Sequence, residues 1–190
     1  MDTEIVCIGG SAGALPSIEH ILRRLREPVA VPVVVVLHRK ASHPDALVAT
    51  LQGDSQLPVK GIEDASPLTP GVVHVAPGGY HCLVGDGNFV LTLEPPEHFC
   101  IPSIDALFST AGEQFGPAAA VIALSCANED GAAGAALVKS RGGTVITQDL
   151  ESVSHPVLID AVIAMVEPDA ILSPVAIGDW INTVSQSGLA

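Results

Sequence analysis

Three side chains in this sequence have the types that nucleophilic catalysis needs: the hydroxyl of Ser11, the imidazole of His38 and the carboxylate of Asp130. In such a set the imidazole takes the hydroxyl proton, while the carboxylate orients the ring and stabilises its cation. Ser11 lies in Gly9-Gly10-Ser11-Ala12-Gly13, which fits G-x-S-x-G. Small flanking residues permit the tight bend that exposes a nucleophile, and N–H groups at a helix start can hold an oxyanion. Ala12 and Gly13 are the oxyanion donors on this reading. The bland alternatives are a serine N-cap or an anion-binding turn. A dinucleotide site fits poorly, because Ser11 stands where G-x-G-x-x-G requires its second glycine. His38 by itself reads as an ordinary surface histidine, and Asp130, just before Gly131, as a helix N-cap.

What raises these three above background is their place relative to the predicted elements. Residues 4–8 read as a buried strand, and Leu15, Ile18, Ile21, Leu22 and Leu25 recur at helical spacing after the turn. Residues 31–37 are almost unbroken aliphatics, the pattern of a strand buried on both faces of a parallel sheet. Ser11 follows the first strand, His38 the second, and Asp130 a third at 119–124. In open α/β sheets the functional crevice lies beyond the carboxyl ends of the strands. The order Ser, His, Asp also disfavours an α/β-hydrolase, which runs Ser, acid, His.

The rest of the chain continues the alternation. Helices are expected near 44–52, from the N-cap Ser103 to Phe115, at 131–139, 156–165 and 175–184. Further strands are expected near 58–62, 72–76, 143–147 and 170–172. Tyr80–Val84 and Phe89–Leu93 flank Gly85-Asp86-Gly87-Asn88 as an antiparallel hairpin. The sum is an α/β fold: one doubly wound, mostly parallel sheet flanked by helices, with the hairpin around 80–93 as an excursion.

Composition narrows the function classes. The 190 residues carry 8 Lys and Arg against 21 Asp and Glu, a net charge of −13, which argues against nucleic acid as the main partner. Hydrophobic residues at 48% exclude disorder, and the longest apolar runs are far short of a membrane span. The acidic start Met1-Asp2-Thr3-Glu4 is not a signal peptide, so a cytoplasmic protein is expected. Cys7, Cys82, Cys100 and Cys126 form no C-x-x-C, and His43, His74, His81 and His98 show no metal spacing, so neither metal nor cofactor is expected. His20 reads as helix surface, whereas His81, in a glycine-rich loop, is kept as a neighbour of the site.

Taken jointly, Ile8-Gly9-Gly10-Ser11-Ala12-Gly13, Leu37-His38, Val75-Ala76-Pro77-Gly78 with His81, Pro102-Ser103-Ile104-Asp105 and Asp130-Gly131-Ala132-Ala133-Gly134 resemble the catalytic domain of CheB-type protein-glutamate methylesterases. The resemblance covers nearly the whole chain and implies a triad of Ser11, His38 and Asp130. It implies hydrolysis of γ-glutamyl methyl esters on a methylated chemoreceptor-like protein, and glutamine deamidation through the same acyl-enzyme. The esterase-like pattern starts at residue 4, so residues 1–190 are expected to be a single catalytic domain without a receiver, and a separate receiver or signalling protein in a phosphorelay is an expected partner.

The departures from the family pattern cluster around the triad. The usual Q-H-M-P is Leu37-His38-Arg39-Lys40, which puts two of the few basic residues beside His38 as a candidate substrate mouth. The usual H-R-P-S-V-D is Cys100-Ile101-Pro102-Ser103-Ile104-Asp105. The usual T-G-M-G-x-D-G is Ser125-Cys126-Ala127-Asn128-Glu129-Asp130-Gly131, where Asn128 joins His81 as an oxyanion or positioning candidate. The rebuilt 125–129 loop carries the alternative reading, a catalytically altered domain that serves as a binding or regulatory module.

Overall fold

A computed structural model describes residues 2–41, 45–96 and 99–186. Seven strands form one sheet in the order β3-β4-β2-β1-β7-β8-β9, and every neighbouring pair in it is parallel. They are β1 (Ile5–Gly10), β2 (Val33–Leu37), β3 (Val59–Gly61), β4 (Val73–Val75), β7 (Ala119–Ala123), β8 (Thr144–Gln148) and β9 (Ala170–Leu172). Between them run α1 (Leu15–Arg24), α2 (Asp45–Asp54), α3 (Ile104–Phe115), α4 (Ala132–Ser140) and α5 (Val157–Met165), and α6 (Pro174–Gln186) ends the fold.

The alternation of β1 explains the layering. Ile5 and Cys7 pack with Leu107, Phe108, Ala135 and Leu158 on one face, and Val6 and Ile8 with Ile18, Ile21, Leu22 and Ile177 on the other. All six residues of β1 and all five of β2 are buried, as a sheet covered on both faces requires. β2 begins at Val33, two residues later than the aliphatic run suggests. Pro32 lacks an N–H and joins the sheet only through its carbonyl, which accepts from Val6 N.

The hairpin β5 (His81–Gly85) and β6 (Asn88–Thr92) forms a separate two-stranded sheet. Its turn residues Asp86 and Gly87 both have positive φ, as a type I′ turn needs. The hairpin leans on α3, where Val84 N donates to Thr110 Oγ1.

What matters for the site is the position of β1. The chain passes from β1 to β2 on one side, while β7 pairs with β1 on the other. That reversal makes the carboxyl ends of β1, β2 and β7 a topological switch point, where such sheets open a crevice.

Candidate active site

The turn after β1 is built tightly. Gly10 pairs with Leu37, and Gly9 with Ala123 across the other edge, so the chain leaves three adjacent strands at Ser11, His38 and Leu124. His38 N donates to Gly10 O at 3.2 Å, and Ser11 N donates to Ser125 O at 2.9 Å. The Ser125 hydroxyl in turn donates to Ala12 O at 2.7 Å. Gly13 has φ +78°, and a Cβ there would stand 2.7 Å from Ser154 Cβ, so the turn admits only glycine. The helix that follows has Ala14 as its N-cap residue, so Ser11 is not a capping serine. Its side chain is half-buried, and the N–H groups of Ala12 and Gly13 make no hydrogen bond among the described residues.

His38 and Asp130 are in direct contact. His38 Nε2 donates to Asp130 Oδ2 at 2.6 Å, with the two side chains 8% and 0% exposed. Asp130 does not cap its own helix: the N-cap residue of α4 is Gly131, with no side-chain cap. The Asp130 carboxylate instead takes the amino terminus of α3. Ile104 N donates to Oδ2 at 2.7 Å, Asp105 N to Oδ1 at 3.1 Å, and the Ser103 hydroxyl to Oδ1 at 2.8 Å. Burial opposes ionisation of Asp130, but the bonds from His38, the two backbone groups and Ser103 hold its carboxyl below the usual range. Burial also works against a charged His38, yet its bonds to Asp130 and Cys126 win and push it up to about 9.

The surrounding residues support this pair in layers. His81 is buried, and its Nδ1 accepts from Ser103 N while Nε2 bonds Pro95 O. It therefore fixes Ser103 and stands one residue removed from the reacting groups. Ser103 is the N-cap of α3, as its sequence context suggests, and its bond to Asp130 is what sequence reasoning missed. Asn128 is turned inward. Its Oδ1 accepts from Cys126 Sγ at 3.0 Å and from Asp130 N at 3.3 Å, and its Nδ2 donates to Cys100 Sγ at 3.3 Å. That engagement makes it a brace of the loop leading to Asp130.

Cys126 is the second residue whose contact with the site the sequence did not reveal. Its sulfur lies 3.9 Å from His38 Nδ1, and no hydrogen bond joins Ser11 to His38. The only available signal was its place where the family pattern has glycine.

A cavity of about 310 Å3 opens over the imidazole, lined by His38, Arg39, Lys40, Phe99, Cys100 and Ile101. Lys40 is exposed. Arg39 is half-buried, donates from Nη2 to Ala76 O at 2.9 Å, and also lines a larger cleft of about 610 Å3 with Glu63, Asp64 and Tyr80. Its Nε is buried without a partner, and burial lowers the affinity of the guanidinium for its proton. Among the described residues no His, Cys, Asp and Glu group could hold a metal ion, and no helix is long and apolar enough to cross a membrane. His43 and His98 lie outside the described residues.

The chain is similar to known proteins over most of its length. The family described as CheB methylesterase matches residues 6–181. A Nocardioides protein named protein-glutamate methylesterase/protein-glutamine glutaminase is 38% identical over 151 residues, which are 76% of this chain and 40% of that protein. A Maricaulis maris protein of the same name is 34% identical over 150 residues, 77% of this chain and 37% of that protein. This chain thus spans about two fifths of the length of those two relatives. A Leptospira interrogans protein is 30% identical over 190 residues, covering 100% of this chain and 98% of its own. The crystal structure of the Thermotoga maritima CheB methylesterase catalytic domain superimposes with a TM-score of 0.91 at 29% identity, over 97% of this chain and 100% of that one.

Proposed function

The chain belongs to the CheB methylesterase family, and we propose that it is a serine esterase acting on γ-glutamyl methyl esters of a chemoreceptor-like protein. The observation that carries this reading is the 2.6 Å bond between His38 and a fully buried Asp130 at the strand ends where Ser11 emerges. Because Nε2 is held by Asp130, Nδ1 is the ring nitrogen left for Ser11. Nδ1 takes the Ser11 proton as Oγ attacks the ester carbonyl. The oxyanion is received by the N–H groups of Ala12 and Gly13, which have no other partner among the described residues. His38 then protonates the departing methanol, and water, activated by the same nitrogen, hydrolyses the acyl-enzyme. A glutamine side chain enters the same cycle with ammonia as the leaving group, which gives deamidation. Asp130 holds the ring orientation and stabilises its cation throughout.

The substrate is a methylated receptor segment, and Arg39 and Lys40 give an otherwise acidic molecule a cationic rim beside His38. The protein works in the cytoplasm, with a receiver or chemosensory signalling protein as a further partner. A second reading, a binding or regulatory module with an altered site, draws on the observation that Cys126, and not Ser11, lies against Nδ1 of His38.

The deciding experiment treats wild type and Ser11→Ala with a fluorophosphonate probe and follows methanol release from methylated receptor. Labelling and release that depend on Ser11 support the esterase. A folded wild type that neither labels nor releases methanol favours the binding module.

A further inference from the structure

His38 has two ring nitrogens, and both face acceptors. Nε2 meets the Asp130 carboxylate. Nδ1 meets the sulfur of Cys126, whose single proton is directed to Asn128 Oδ1 at 3.0 Å, so that only sulfur lone pairs face the ring. An imidazole between two acceptors is held with a proton on each nitrogen. A base for Ser11 needs Nδ1 free of its proton. The sulfur is fully buried and braced by Asn128, whose other end is bound to Cys100, so the arrangement is a packed feature of the loop.

We propose that Cys126 is a positioning residue that holds His38 at rest, its sulfur occupying the ring nitrogen that Ser11 must reach. The proposal rests on the reading of His38 as the base for Ser11, and it assigns Cys126 a part in setting when that base is available. Turnover then requires the Nδ1 proton to leave and the ring to exchange the sulfur for the Ser11 hydroxyl. The other charged or titratable groups around the ring are Asp130 from the turn before α4, Cys100 from the segment before α3, and Arg39 and Lys40 from its own strand end. None of these occupies Nδ1. Burial disfavours a charged His38; the Asp130 bond first, and then the Cys126 contact, raise its affinity for the proton.

The test compares wild type, Cys126→Ala and Cys126→Ser by two readouts: the NMR titration of the His38 ring, and kcat/KM against pH on p-nitrophenyl acetate. In Cys126→Ala the titration midpoint falls by about 0.5–1 pH unit, and kcat/KM at neutral pH rises about threefold to tenfold, the factor such a displacement of the acid limb produces. Cys126→Ser, whose hydroxyl can also donate to Asn128 and accept from Nδ1, stays near wild type. A change confined to folding would not distinguish Ser from Ala in this way. If Cys126→Ala does not fold, Cys126→Gly, the residue expected from the family pattern, serves in its place. A folded variant with midpoint and profile unchanged overturns the role of Cys126 while leaving the esterase intact. A lowered midpoint in a protein without any esterase turnover supports the contact and overturns the esterase reading instead.

Discussion

Asp130 and Ser103, 27 residues apart, are joined by a 2.8 Å hydrogen bond from the Ser103 hydroxyl to Oδ1. The same hydroxyl accepts from Ala106 N at 3.1 Å, so one oxygen both caps α3 and aims the carboxylate. Through it, the amino-terminal end of α3 supplies a cradle of donors for a charge that burial alone would discourage. The amino terminus of α3 is thereby tied to the acid of the proposed triad.

Removing that oxygen should therefore have two effects. Ser103→Ala is expected to lower stability by about 1–2 kcal/mol, the range of a lost N-cap and a lost bond to a charged group. It should also lower kcat about tenfold with a smaller change in KM, because Asp130 keeps its charge but loses part of its orientation. Urea denaturation and steady-state kinetics on one preparation measure both.

The pH dependence follows from His38. Its pKa in the folded protein is about 9, against an ordinary 6.5. A base must be neutral to act, so kcat/KM should climb through the neutral range and level off only above about pH 9. Stability moves the other way. A raised pKa stabilises the fold fully below 6.5, and this contribution disappears as pH rises through about 9. Thermal melts of wild type and His38→Gln between pH 6 and 10 should converge at the alkaline end.

Charge at the mouth should matter only for a large substrate. Reversing both charges in Arg39→Glu with Lys40→Glu should reduce turnover of an acidic methylated receptor fragment at least several-fold more than turnover of a neutral small ester. Raising salt should narrow the gap, since exposed charges are screened. Equal losses on both substrates would count against a substrate-facing role for this pair.

Gly9 offers a test of how closely the sheet and α3 must approach. A Cβ at Gly9 would stand 2.3 Å from Ile104 Cγ2 and 2.9 Å from Phe108 Cζ. Gly9→Ala has to push α3 away, at a cost of about 1–3 kcal/mol for overpacking a filled core. Because the N–H of Ile104 bonds Asp130, activity should fall along with stability. A melting temperature and an esterase rate equal to wild type would contradict the coupling.

Much of this protein is written in local pattern. The aliphatic runs of β1 and β2, the helical spacing of α1 and the Asp86-Gly87 turn each reflect a rule of period or backbone conformation acting within a few residues. So do the positions of Ser11, His38 and Asp130 just beyond strand ends, because an alternating α/β chain puts its connections at the two edges of one sheet. The resemblance to a family was legible for the same reason: its motifs are these turns.

Tertiary structure alone decided which atoms meet. Strand order puts β1 between β2 and β7, and no periodicity encodes that choice. The capping role expected of Asp130 at its own helix went to α3, because the buried carboxylate found three donors there and Gly131 begins α4 without it. His81 became a support for Ser103, and Cys126, 88 residues from His38, came to rest on its second nitrogen. Such contacts depend on how helices seat on the sheet and which rotamers remain once the core is filled. The sequence by itself determined the elements and the edge at which chemistry is possible. Packing determined that His38 sits between a carboxylate and a sulfur, because only the assembled core brings residues so distant in the chain within bonding range.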